Sequence, residues 1–560
     1  MRKKVFGLTM AALMSVSVFA SCGRGGNAGG SDDPVDPDKT QLNVAVWDGG
    51  FRYNWLENWG DEFEKMYANH SFEEGKVGVQ VRVAPSKNLA LDPVATNIKE
   101  MTEEVIICEQ VNTTGFVREK SALDISDIVK ETLSDYGETR SIEDKLSESD
   151  KAFYGNGTGT YYALPWYESL FGVQYDVDLF EENNYYFAAE GQGDSNGFVR
   201  SPSTPRGAGP DGDITTTYDN GLPATYDDFF KLCDKMVADG VVPIIWTGMH
   251  KSYMNYFMQS LVADYEGFEQ MSLNYTMDGT KATSLIKSIN GSTITYEEPT
   301  EIYSKDGYLL QKQAGRYYAL KFLERLINTK GDDGQAKYIK MTDCYNSSLA
   351  HTETQGKFLR SKYTDSYETI AMIAEGSWWY NEATPYFNAM SSIEGAGMKE
   401  RRIGFMPFPK ADSTRLGEAT YMNTWITNIV INANTAASKL DCAKEFVKFI
   451  HTDKSLSAFT RDSNGVRPFN YELTEEDKVN TSYYAQQMMY IHNTAKVVNP
   501  WSTNTLMINN LSSFTGAFIS KGYTNVVEGL RNISAEEYFQ GLQDNWTKAN
   551  WDNAYSRFFD

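Results

Sequence analysis

Apolar positions along this chain follow two alternating rhythms. Gln41 to Trp47, QLNVAVW, is apolar at every second position, the mark of a half-buried strand. Trp55 to Tyr67 changes period: Leu56, Trp59, Phe63 and Met66 lie 3, 4 and 3 residues apart, the stripe of an amphipathic helix. Val77 to Val83 returns to strand character, Leu89 to Met101 to helix, and Val105 to Cys108 is a short apolar strand. The β-α-β-α-β order predicts a parallel sheet with helices on its faces. Open sheets of that kind hold ligands beyond the carboxyl ends of their strands. Those ends here are Trp47 with Asp48, and Glu109 to Asn112.

The pattern resumes after a glycine-rich stretch, GNGTGT from Gly155. It precedes a strand and lacks a following Lys-Ser/Thr, so it predicts a hairpin rather than a phosphate loop. ALPWYE, which holds Trp166 and Glu168, leads into a strand at Leu170 to Tyr175. Phe187 to Gly221 is a polar, Gly/Pro-rich insertion. A helix then begins behind Thr225 as N-cap, with Asp227 and Asp228 in its first turn, and runs to Ala238. Val241 to Trp246 is a strand that ends in a tryptophan; helical material covers 251–264 and 308–327. Ile370 to Ala374 is an apolar strand that stops at Glu375-Gly376-Ser377 and delivers Trp378, Trp379, Tyr380 and Asn381. Flat rings beside an amide make a binding wall. Neighbours leaving a strand face opposite ways, so Trp378 is expected on the wall and Trp379 in the core. Strands follow at 402–409 and 425–432, a helix at 438–451, an extended loop at 464–469, and largely helical sequence to the end.

The amino terminus breaks both rhythms. Arg2-Lys3-Lys4 precedes an apolar run to Ala20, then Ser21 and Cys22: a secretory signal over 1–21 with a lipidation candidate, Cys22, and a flexible tether over 22–40. Net charge of −23 argues against nucleic acid and against a grip on anionic lipid. Cys108, Cys233, Cys344 and Cys442 are widely spaced in apolar settings and read as buried thiols. No CxxC or HExxH occurs. Asp211, Asp213 and Asp219 are calcium candidates within the insertion, but their spacing departs from the EF-hand loop and favours a solvated turn. No cofactor is expected.

Several motifs now align in order. LPATYDDF from Leu222 is similar to P-x-T-[WY]-[DE]-[DE]-[FL], AMIAEGSW from Ala371 to A-M-x-x-x-G-x-W, and IGFMPFP from Ile403 to I-G-x-x-P-x-P. AKEFVKFI from Ala443, followed by NGVRP from Asn464, is similar to A-x-x-F-[LV]-x-[FW]-[LI] and G-x-x-P. Together they resemble the carbohydrate type of extracellular solute-binding protein, a lipoprotein receptor of ABC transporters related to maltodextrin-binding proteins. The resemblance implies an α/β, two-lobed periplasmic-binding-protein-like fold, each lobe a central mostly parallel sheet flanked by helices, with the ligand cleft between lobes. It implies a first lobe from 41–165 and 386–452 and a second from 166–385 and 453–560, with insertions near 187–221 and 265–360. Crossings are expected near Trp166, Asn381–Pro385 and His451–Ser455. The implied ligand contacts are Trp47, Asp48, Glu109, Asn112, Trp166, Glu168, Trp246, Trp378, Asn381, Asn423, Trp425 and Arg467. Of these, Glu168 and Arg467 are the ones expected to be structural or interlobe. The implied partners are a carbohydrate and the permease subunits of a transporter, for a monomer anchored outside the cell membrane by lipid alone. Two other classes stay open: an anchored glycan hydrolase, which needs only two carboxylates, and a peptide receptor of similar shape.

Overall fold

The computed structural model describes residues 34–91, 93–364, 366–501, 518–520 and 522–559. The leader and Cys22 lie outside the described residues.

Two four-stranded sheets form the frame. In the first, Thr40–Trp47 is central and parallel to both Val79–Ser86 and Val105–Glu109, while Thr427–Ile431 runs antiparallel beside Val105–Glu109. In the second, Ile370–Gly376 is parallel to Val242–Ile245 and antiparallel to Phe171–Asp176, which in turn pairs antiparallel with Ile403–Met406. Each sheet thus has three strands in one direction and one opposed. The opposed strands, Phe171–Asp176 and Thr427–Ile431, are the two that arrive from the other lobe, so they start where the remaining strands end.

The expected rhythms become helices that cover these sheets. Asn54–Met66 buries Trp55, Leu56, Trp59 and Phe63. Tyr226–Ala238 starts at a capping box in which Thr225 and Asp228 exchange side chain-to-backbone hydrogen bonds. The 89–101 stretch is less regular than expected: Pro93–Asn97 is one short helix, continued by a 3-10 turn at Ile98–Glu100. No hairpin forms at Gly155; the glycines make successive turns that close the helix Glu148–Tyr154.

The expected lobe boundaries change at two places. The return to the first lobe comes after 422 rather than at 386, because Ile403–Met406 belongs to the second sheet. The segment Asn381–Pro385 is consequently no crossing; it continues from the second sheet into the helix Thr384–Met390. The helix Asp453–Ser463 packs on the first lobe, with the Trp59 indole donating to the Ser455 carbonyl at 3.1 Å. The third crossing therefore falls after it.

Three segments join the lobes side by side. Leu164 bridges Ile429 and Leu170 bridges Asn423, so 164–170 and 423–429 form an antiparallel ribbon. The Ser169 hydroxyl ties it: it donates to Asn423 Oδ1 at 2.8 Å and accepts from the Trp425 amide at 2.7 Å. The third strand of the hinge is the NGVRP loop, whose Val466 carbonyl accepts from the Glu168 amide at 2.9 Å.

The insertion Phe187 to Gly221 is an irregular loop held by isolated bridges at Phe187 and Ala188. The 265–360 span holds two short ribbons, Asp278–Ala282 with Thr300–Tyr303 and Ile286–Asn290 with Thr293–Tyr296, and the helix Ala314–Asn328, which packs on the helix Ala535–Asn545.

Candidate functional site

The carboxyl ends of both sheets meet at one place. From the first lobe come Trp47, the Asp48 to Phe51 loop, and Glu109 with Gln110. From the second come Tyr253 and Tyr256, on successive turns of one helix, and Trp378. Trp425 enters from the hinge. The Trp378 ring lies 6.2 Å from Tyr253 and 6.1 Å from Trp425, and Trp425 lies 5.0 Å from Tyr256.

Trp378 is held between two glycines, one from each lobe. A Cβ on Gly376 would sit 2.2 Å from its ring, and one on Gly50 would sit 2.4 Å from it. Both values are far below van der Waals contact, so neither position admits a side chain without moving the tryptophan. Gly376 lies inside a strand and outside the left-handed region. Its role is close approach, and the strand expected to stop at Glu375 runs on through it. In this structure the lobes touch here, and only 6% of Trp378 is exposed.

The polar groups among the rings are predominantly acidic. Glu109 is buried and accepts hydrogen bonds from the Tyr167 hydroxyl and from Gln110 at 2.9 Å. Burial raises its pKa, and the Glu382 charge adds to that; the Tyr167, Gln110 and Trp47 donors oppose it. Gln110 has a left-handed backbone, φ 57°, a conformation that costs an L-residue about 1–3 kcal/mol and concentrates at functional sites. In the second lobe Glu382 accepts from Gln355 at 2.7 Å and meets His351 at 3.2 Å. Burial opposes protonation of His351, but Glu382 raises its pKa overall. His250, ringed by Tyr253 and His351, is lowered by burial and then by the His351 charge.

Glu375 lies deepest. It is fully buried and pushed up to about 8, first by burial and then by Glu382. Its Oε2 and the neighbouring Gln355 Oε1 have no partner among the described residues, and a proton on Glu375 supplies the donor that pair lacks. The sign follows from the raised value. Between the ordinary 4.5 and about 8 the folded chain holds a proton the unfolded chain has lost, so this group makes stability fall as pH rises through that window. Thermal melts of Glu375→Gln and the parent should therefore converge near pH 5 and separate toward pH 8 in favour of the variant. A constant difference across that range would overturn this assignment.

Other sequence-predicted residues have structural duties. Trp166 is buried in the first lobe, stacked on Trp55 at 5.4 Å with its indole donating to the Cys108 carbonyl at 3.0 Å. Trp246 is buried in the second lobe near Tyr345. Asn112 caps the helix Thr113–Glu119 through the Thr114 amide. Asn423 binds Ser169 and Asn499 within the hinge. Asn381 donates to the Phe51 carbonyl and latches one lobe to the other. Glu168 meets His492 at 3.1 Å, and Arg467 is fully buried in the hinge. Asp48 remains half-buried in the loop beside Trp47. Trp379 is in the core, beside Phe358 and Tyr484. The carboxylates of Asp211, Asp213 and Asp219 accept hydrogen bonds from their own turn, and among the described residues no group of three or more potential metal ligands converges.

Sequence reasoning missed Tyr167, Tyr253, Tyr256, Gln110, Glu375, Glu382 and His351. Three left a signal: Tyr253 and Tyr256 sit at helical spacing, and Glu375 is a carboxylate inside an apolar strand. No described helix is long and apolar enough to cross a membrane.

The profile of a bacterial extracellular solute-binding protein family matches residues 68–485. A search of curated proteins found no match. Among solved structures, the apo form of RafE from Streptococcus pneumoniae is similar, with 13% identity, a TM-score of 0.50, and coverage of 92% of this chain and 100% of that one. A structure from work on xylan utilisation by the thermophilic bacterium Caldanaerobius polysaccharolyticus aligns with 14% identity and a TM-score of 0.53, covering 90% of this chain and 99% of that one. The bacterial solute receptor AcbH, described as exclusive for β-D-galactopyranose, aligns with 12% identity and a TM-score of 0.50, covering 93% and 99%. At these identities the likeness is one of fold.

Proposed function

This chain belongs to the bacterial extracellular solute-binding protein family, and from that premise we propose that it captures a neutral saccharide between its lobes and delivers it to an ABC transporter permease. The observation that carries this reading is the ring of Trp378, Trp425, Tyr253 and Tyr256 set against Glu109 and Glu382 where the two sheets meet. Sugars offer C–H faces that stack on such rings. Their hydroxyls need paired acceptors and donors, which carboxylates and His351 supply. The similar solved structures include a chitin oligosaccharide binding protein and a galactopyranose receptor, which supports a saccharide as the solute.

The charge of the cleft narrows the class. The charged groups acting most strongly on Glu109, Glu375 and Tyr253 are other carboxylates and His351. A uronic acid or sugar phosphate would place another anion among them, and like-charge juxtaposition costs several kcal/mol. Neutral sugars are the fit. Export, lipid attachment at Cys22 and action as a monomer complete the proposal.

A thermal-shift and tryptophan-fluorescence screen against matched neutral and uronate oligosaccharides tests it. The expected result is a rise in melting temperature with neutral members only, because ligand stabilises by mass action. Indifference to every neutral sugar, a preference for uronates, or release of hydrolysis products would overturn it.

A further inference from the structure

The insertion Phe187 to Gly221 builds something of its own, lined by none of the residues of the interlobe cleft. It folds over the second lobe and forms an open pocket of about 320 Å³ with the end of the Ile403–Met406 strand, the Thr420–Met422 strand and the last turn of the Tyr483–Thr494 helix. That volume suits a small molecule. Its lining is apolar at Pro407, Ala419 and Ile491, aromatic at Tyr218, Tyr421 and Tyr490, and acidic at Asp211, Asp213, Asp219 and Glu418. No Lys, Arg or His lines it.

The walls are fixed before any ligand arrives. The Tyr218 and Tyr490 rings stack at 4.5 Å, and the Tyr218 hydroxyl donates to the Phe405 carbonyl. Asp219 is 2% exposed, and its Oδ2 accepts the Asp211 amide at 3.0 Å. The charges that act on the Tyr490 hydroxyl are those of Asp219, Asp211 and Asp213. Tyr421 is wholly buried, yet its hydroxyl has no partner among the described residues.

We propose that this cavity binds a small organic ammonium ion. The carboxylates supply the countercharge and the tyrosine rings a cation–π surface. The apolar floor receives the carbon body. A divalent metal is a poorer fit, since it needs several oxygens converging on one point and no three acidic side chains do so among the described residues. Burial raises the Asp219 pKa to about 6, which leaves it ionised at neutral pH.

Calorimetric titration of the purified chain with choline and with ethanolamine, at about pH 7.5 and low salt, tests this. The expected result is saturable one-to-one binding that survives Trp378→Ala in the cleft. Asp219→Asn, which keeps the turn's acceptor but loses the charge, should weaken it about tenfold or more. Ala495→Phe, which fills the cavity from the helix end, should abolish it. The proposal is overturned by absence of heat up to about 10 mM ligand, by binding that both variants leave intact, or by calcium ions displacing the amine.

Discussion

Trp378→Ala is expected to weaken saccharide binding by roughly 30- to 1000-fold, the ~2–4 kcal/mol of a desolvated aromatic hot spot. The ring stands where the two lobes meet, against Gly50 of one and Gly376 of the other. Its removal takes away both a stacking face and a contact that holds the closed state. Trp378 stands just beyond the end of the Ile370–Gly376 strand rather than within a sheet or helix, so far-ultraviolet circular dichroism should stay unchanged. Trp379→Ala provides the contrast. That ring is fully buried beside Phe358 and Tyr484, and truncation of such a core tryptophan costs ~3–5 kcal/mol of stability. The two neighbours should thus separate cleanly, one in affinity and one in melting temperature. Equal affinity of parent and Trp378→Ala for any saccharide that binds would remove Trp378 from the site.

Arg467→Met is expected to lower the stability of the hinge by about 3 kcal/mol, read as a fall in the urea midpoint. The guanidinium donates to the Ile450 carbonyl at 2.6 Å, to the Pro165 carbonyl at 3.1 Å and to His451 Nε2 at 2.7 Å. It joins two of the three crossing segments. His451 is held neutral by burial and by this neighbour, and its Nδ1 faces the Val447 carbonyl at 2.6 Å, so Nδ1 donates there and Nε2 accepts. Methionine fills much of the volume but leaves three acceptors unpaired, at ~1–3 kcal/mol each. The opposing term is real: burial pushes the Arg467 pKa down to about 9, and removing a buried charge relieves desolvation. The acceptors outnumber it, which sets the sign. An unchanged midpoint would mean that water replaces the guanidinium without loss.

Much of the frame was legible because local rhythm carries it. The strands at 41–47, 105–108 and 370–374 and the helix at 55–67 each follow from spacing alone. The site was legible only in part. Trp246 and Trp378 look alike in sequence, each at or near the end of an apolar strand, and Trp166 stands just ahead of one. What distinguishes them is whether another lobe, a helix or the hinge covers them, and that is settled by residues hundreds of positions away. The boundary near 386 was misplaced for the same reason. Ile403–Met406 joins the second sheet by antiparallel pairing with Phe171–Asp176, a contact with no local signature. The left-handed backbone of Gln110 has none either, since glutamine does not announce that conformation as glycine would.

The four described cysteines add a practical consequence. Cys108 and Cys442 lie in the first lobe, Cys233 and Cys344 in the second, all buried and none in a disulfide. Burial raises the pKa of every one of them, Cys344 to about 12, which keeps them as unreactive thiols. A thiol reagent can reach them only when the surrounding lobe opens. Each lobe therefore carries its own pair of internal clocks. Mass spectrometry of labelled peptides would time the opening of one lobe against the other in the same sample, with no engineered probe.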